Sequence, residues 1–165
     1  MKGVLLINLG SPDSTETKDV RRYLSEFLMD ERVIDIAYWK RFLLIKGIIL
    51  QVRPKKSGVA YKKIWWEEGS PLVIISERFS KKVSSKSSIP IELAMRYGSM
   101  SMEKGFKALT DQGVDEILLV PLYPHYAMSS YETVTVKAEQ IIEDHYPNVT
   151  MDILPTFYNQ PDYIK

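Results

Sequence analysis

Cysteine is absent from this 165-residue sequence. Disulfides and thiolate metal sites are therefore excluded, nothing argues for an oxidising compartment, and a cytoplasmic location is expected. Histidine occurs only as His125 and His145, and two imidazoles so far apart in sequence make no metal-ligand motif. There is no G-x-G-x-x-G and no G-x-x-x-x-G-K-[ST], so dinucleotide and P-loop readings lose their usual support. A G-x-S-x-G elbow is missing too, which weakens a Ser-His-Asp hydrolase. Met1 to Ile7 is too short an apolar run for a signal peptide and meets Asn8 and Gly10 at once. It reads as a buried strand.

What is present is ordinary in bulk and uneven in detail. Hydrophobic residues make up 45% and charged residues 26%, which suits one soluble domain with a core to bury and argues against disorder. A net charge of +1 hides an asymmetry. Ile36 to Trp66 holds Lys40, Arg41, Lys46, Arg53, Lys55, Lys56, Lys62 and Lys63 with no acidic residue, a block of +8 that leaves the rest at −7. Such a block either attracts anions or is a solvated lysine-rich face.

Four short β-branched segments ending at turn residues read as strands: Gly3 to Asn8, Ile91 to Tyr97, Glu116 to Leu122 and Val149 to Ile153. Between them lie helical stripes. Val20, Tyr23, Leu24, Phe27 and Leu28 share one face, and Leu72, Ile75, Phe79 and Val83 form a second stripe behind a Ser70 cap and Pro71. A third helix carries Met102, Phe106 and Leu109 and stops at Gly113, while a fourth starts from a Ser129 to Glu132 capping box. Pro54 to Gly58 punctuates an otherwise helical region. Strands alternating with helices imply crossovers, and the continuous run Ile117 to Val120 suits a strand covered on both faces. The expected fold is a doubly wound, Rossmann-like parallel four-stranded sheet flanked by helices.

Trp39 to Leu50 is apolar almost all round except for Lys40, Arg41 and Lys46. At that length it cannot span a bilayer, which needs about 20 residues. It is either an interfacial helix lying on a membrane or a helix packed against protein.

Ligands in open α/β sheets bind beyond the carboxyl ends of the strands. Three loops leave those ends: Asn8-Leu9-Gly10-Ser11-Pro12-Asp13, Tyr97-Gly98-Ser99, and Pro121 to Ser130. The third mixes the aromatic rings of Tyr123 and Tyr126 with Pro124, His125 and the Ser129-Ser130 pair at a helix start, where free N–H groups favour an anion. That mixture suits a large planar ligand with acidic edges. Each residue also has a plainer role: the tyrosines walling a rigid loop, Ser129 capping, Gly10 and Pro12 shaping a turn, His145 beside a helix carboxyl end.

Taken in order, Leu5 to Pro12, Tyr61-Lys62-Lys63-Ile64-Trp65 with Gly69 to Leu72, Ala94-Met95-Arg96-Tyr97-Gly98, and Pro121 to Tyr126 resemble the ferrochelatases, across essentially the whole chain. That family pairs two similar α/β lobes around a porphyrin cleft and inserts ferrous iron into a tetrapyrrole without an organic cofactor. The resemblance implies that residues 1–165 are the amino-terminal lobe, with its own carboxyl-terminal lobe as partner and no nucleic acid involved. It implies a cleft wall of Asn8 to Pro12, Tyr61 to Ile64, Arg96, Tyr97, Tyr123 to Tyr126, Ser129 and Ser130. Lys62, Lys63, Arg96 or the Ser129-Ser130 helix start would meet the propionates. The family's catalytic histidine, in a His-Ser-x-Pro type motif, and a later glutamate belong to the second lobe, and His125 and His145 are each followed by tyrosine. The catalytic pair is therefore expected outside this chain. Two other readings stay open: a tetrapyrrole-binding module without catalysis, and a nucleotide-dependent enzyme holding phosphate at Gly10 to Ser14.

Overall fold

A computed structural model describes residues 1–165. The four apolar segments pair as one all-parallel sheet of β1 (Lys2–Gly10), β2 (Ile91–Tyr97), β3 (Glu116–Pro121) and β4 (Thr150–Ile153), in the order β2-β1-β3-β4. The helices are α1 (Thr17–Met29), α2 (Tyr38–Phe42), α3 (Leu50–Lys62), α4 (Pro71–Ser84), α5 (Met102–Asp111), α6 (Thr133–His145) and α7 (Pro161–Ile164). A π-helical stretch, Leu43–Ile49, joins α2 to α3 into one rod from Tyr38 to Lys62. No helix is long and apolar enough to cross a membrane.

The chain steps from β1 to β2 in one direction and from β2 through β3 to β4 in the other, so right-handed crossovers put their helices on opposite faces. On the α5 and α6 face, Leu5, Ile7, Phe106, Leu109, Ile117, Leu119, Val134 and Ile141 interlock in one cluster. Each such side chain contributes about 1.5–3 kcal/mol by leaving water. The other face is covered by α4 beside β1 and β2. Leu118 of β3 stays 38% exposed there, so β3 is not covered on both faces as its apolar run suggests.

Four local expectations change. The stripe Leu72, Ile75, Phe79 and Val83 does not face the sheet: Ile75 and Phe79 are exposed, while Ser76 and Ser80 are buried. Ser76 Oγ donates to the Leu72 carbonyl at 2.7 Å and accepts from Asn8 Nδ2 at 3.0 Å, so a small polar side chain brings α4 close to β1. Pro71 opens α4, but Ser70 makes no capping bond. At Ser129 the capping box does not form. A π turn, Met128–Glu132, precedes α6 instead, and the Glu132 carboxylate is drawn to Arg32 Nε at 3.2 Å and to the Tyr126 hydroxyl. Finally, α3 runs straight through Pro54 to Gly58. Gly58 is buried where α3 meets the stretch before α1, and a Cβ there would lie 2.7 Å from the Thr15 carbonyl oxygen.

Candidate functional site

Gly10 ends β1 beside Tyr97, and Ile7 lies beside Pro121, so β1, β2 and β3 release their loops along one edge of the sheet. The contact at Gly10 is tight. Its φ is +105° and a Cβ would fall 2.0 Å from the Tyr97 carbonyl oxygen, a position only glycine occupies without strain. Above this edge α1 packs against α3, and Leu9, Tyr23, Phe27, Arg53, Tyr61 and Ile64 line an open groove of about 540 Å³ between them. That volume is within the range of small-molecule sites.

The groove is mostly apolar, and Arg53 is its one charged side chain. Its aromatic walls brace one another: Tyr23 stacks on Phe27 with centroids 6.0 Å apart, Phe27 meets Tyr97 edge-on at 5.2 Å, and Tyr61 meets Trp65 edge-on at 5.9 Å. Tyr23 Oη donates to the Gly10 carbonyl at 3.3 Å, tying α1 to the β1 turn. Burial pushes the Tyr23, Tyr61 and Tyr97 hydroxyls above the usual phenol range; at Tyr61 the Arg53 charge pulls the other way. These phenols stay protonated at neutral pH. Such a site offers flat apolar faces, neutral hydroxyls and one exposed cation.

Apart from the groove, a polar knot forms where α1, β2 and α6 meet. Arg96 Nη2 donates to Asp30 Oδ2 at 2.6 Å, and its Nε donates to the Thr133 carbonyl at 3.0 Å and Oγ1 at 2.9 Å. Tyr97 Oη donates to the same Asp30 oxygen at 2.8 Å. Burial raises the Asp30 carboxyl, but the hydroxyls of Thr133 and Tyr97, the Arg32 N–H and the Arg96 charge outweigh it, so its pKa falls below the ordinary value.

The residues singled out from sequence divide among several places. Leu9, Tyr61 and Ile64 share the groove, and Lys62 and Lys63 are exposed at its α3 end. Asn8 points the other way, to Ser76, and Ser11 and Pro12 line a separate pocket with Ser70 and Tyr97. Tyr97 is buried behind Phe27, and Arg96 is held by Asp30 rather than presented to the groove. The Tyr123 hydroxyl is buried without a hydrogen-bond partner, and that burial pushes it above the usual phenol range. Pro124 and His125 meet the chain's last segment: the Pro124 carbonyl accepts the Phe157 N–H at 3.1 Å, and His125 stacks on Tyr158 at 5.6 Å. Tyr126 is exposed and donates to Glu132, while Ser129 and Ser130 lie in the π turn.

A family model described as ferrochelatase matches residues 1–165. The chain belongs to the ferrochelatase family. A ferrochelatase of Stutzerimonas stutzeri (strain A1501) is 46% identical over 164 residues, covering 99% of this chain and 48% of the relative. One from Ectopseudomonas mendocina (strain ymp) is 47% identical, covering 98% and 47%, and one from Pseudomonas fluorescens (strain Pf-5) is 47% identical, covering 98% and 48%. The chain thus spans about half the length of the curated ferrochelatases it matches. Sequence reasoning missed Tyr23, Phe27, Arg53 and Ser57 in the groove of this ferrochelatase-family chain. Tyr23 and Phe27 sat on a helical stripe and read as core, and Arg53 was lost in a run of cations. Spacing offers one signal, since Arg53, Ser57 and Tyr61 recur every four residues and so share a helix face.

Proposed function

We propose that this chain forms one wall of a porphyrin cleft and that the whole protein inserts ferrous iron into protoporphyrin or coproporphyrin. The observation that carries this reading is the groove of Leu9, Tyr23, Phe27, Tyr61 and Ile64 with Arg53 as its single charge. A porphyrin needs apolar contact over a broad flat face and a cation at its propionate edge. Arg53, with Lys62 and Lys63 at the carboxyl end of α3, meets the carboxylates, and the apolar side chains hold the ring. The turns at Asn8 to Pro12, Arg96-Tyr97 and Tyr123 to Tyr126, with Ser129 and Ser130, belong to the same wall or brace it.

Holding the macrocycle firmly at its edge lets binding energy bend it, which exposes pyrrole nitrogen lone pairs to the metal. Insertion replaces two pyrrole N–H bonds by metal–nitrogen bonds and releases two protons, so a base must stand near the ring centre. No histidine lines the groove. The base and an acidic partner come from the remainder of the protein, and the substrates are ferrous iron and porphyrin with no organic cofactor. We place the protein in the cytoplasm, with the rod around Trp39 to Leu50 meeting a bilayer surface through exposed Trp39, Phe42, Leu43 and Ile48.

The test is a porphyrin titration by absorbance run beside an iron-insertion assay, on the 165-residue chain and on the whole protein. The expected outcome is weak or absent binding and no turnover for the 165-residue chain, with metallation by the whole protein. Rapid metallation by the shorter chain would overturn the division of labour.

A further inference from the structure

On α1, Lys18, Arg21, Arg22 and Ser25 recur at helical spacing opposite the buried stripe of Val20, Leu24 and Leu28. Packing of α1 against the rod brings Lys46 to the same spot, where its Nζ donates to Ser25 Oγ. Together with Gln51 and Leu50 these residues line a concavity of about 370 Å³ in which every charged side chain is a cation. Only Arg22 is already paired, with Asp13 and Asp19. Lys18, Arg21 and Lys46 have no acidic partner within salt-bridge distance.

We propose that this concavity seats the phosphate of an anionic phospholipid head group, an inference that rests on the reading that the rod meets a bilayer. A free phosphate or a nucleic acid would satisfy the cations equally well. Neither would account for the exposed apolar side chains of the rod that supplies Lys46. Lys46 belongs to the same rod as Trp39, 62% exposed, Leu43, 59%, and Ile48, 63%, and Lys40 lies 5.4 Å from the Trp39 ring centroid. Apolar groups that enter the acyl boundary beside cations at phosphate level are the pattern of an interfacial surface on anionic lipid. The cations come from two elements far apart in sequence, so the seat exists only when α1 and the rod are docked.

Vesicle co-sedimentation tests this, with phosphatidylcholine alone and with added phosphatidylglycerol, and inorganic phosphate as a soluble competitor. The variant K18Q/R21Q/K46Q leaves Arg22 with its aspartates, and K81Q/K82Q/K86Q removes the same charge from another surface. Binding to anionic vesicles should fall roughly fivefold per seat cation removed, near a hundredfold for the triple variant, while the second variant and the neutral vesicles change little. Equal losses in both variants, or none in the first, would overturn the seat and leave the bilayer reading standing. Release of the wild type by low inorganic phosphate at constant ionic strength would overturn the choice of lipid. No sedimentation of the wild type with either vesicle would overturn the seat and the bilayer reading together, leaving the porphyrin reading untouched.

Discussion

Arg96 and Asp30 form a close ion pair inside the fold, with Nη2 and Oδ2 2.6 Å apart and side chains only 14% and 7% exposed. The pair joins the end of β2 to the end of α1, and Thr133 at the start of α6 closes the triangle. Three elements that converge on the loop edge of the sheet are thus locked by one carboxylate.

Removing that carboxylate leaves a nearly buried guanidinium without its counter-charge. Asp30→Ala is expected to destabilise the protein by about 3–5 kcal/mol, read from urea unfolding. The pH dependence has a definite sign. An aspartate held below its unfolded value of roughly 3.9 contributes fully above about pH 5, and the contribution is lost as pH falls through the folded value. Asp30→Asn should remove that acid-side loss, and an unchanged acid limb in the variant would contradict the assignment.

Gly10→Ala sets a Cβ against the Tyr97 carbonyl at a positive φ. Backbone strain and overpacking together predict a loss of about 3 kcal/mol or more, seen as a fall in Tm. A variant as stable as the parent would show that the β1 and β2 ends are not held this closely.

Tyr123→Phe should be neutral or stabilising by about 1 kcal/mol, because the hydroxyl is buried without a partner and its removal breaks no bond. Denaturant midpoints decide it. A clear loss would mean that the hydroxyl is bonded in solution.

Arg53→Ala, in the whole protein, should weaken a dicarboxylate porphyrin roughly tenfold, as expected for loss of a charge-assisted hydrogen bond. The porphyrin dimethyl ester should bind parent and variant alike. Equal losses for both ligands would assign Arg53 a packing role in the groove instead.

The sequence by itself determined the sheet. β-branched runs separated by helical stripes forced parallel strands with crossovers, and Ile91–Tyr97 forms over the residues its pattern marks. The family was legible as well, because its short motifs are local strings in order. The apolar pattern misled where it is locally ambiguous: at α4, Ile75 and Phe79 carry the stripe, yet Ser76 and Ser80 face the sheet, since close approach to β1 favours small side chains and Asn8 supplies a hydrogen bond. Only tertiary structure decided which residues share the groove. Arg53 and Tyr61 on α3 meet Leu9 near the end of β1 and Tyr23 on α1 because Gly58 lets α3 lie against the chain before α1. It also turned Arg96 inward to Asp30, for a buried charge goes to a partner that offsets its desolvation, and residues 66 positions apart in sequence become partners only in the folded chain.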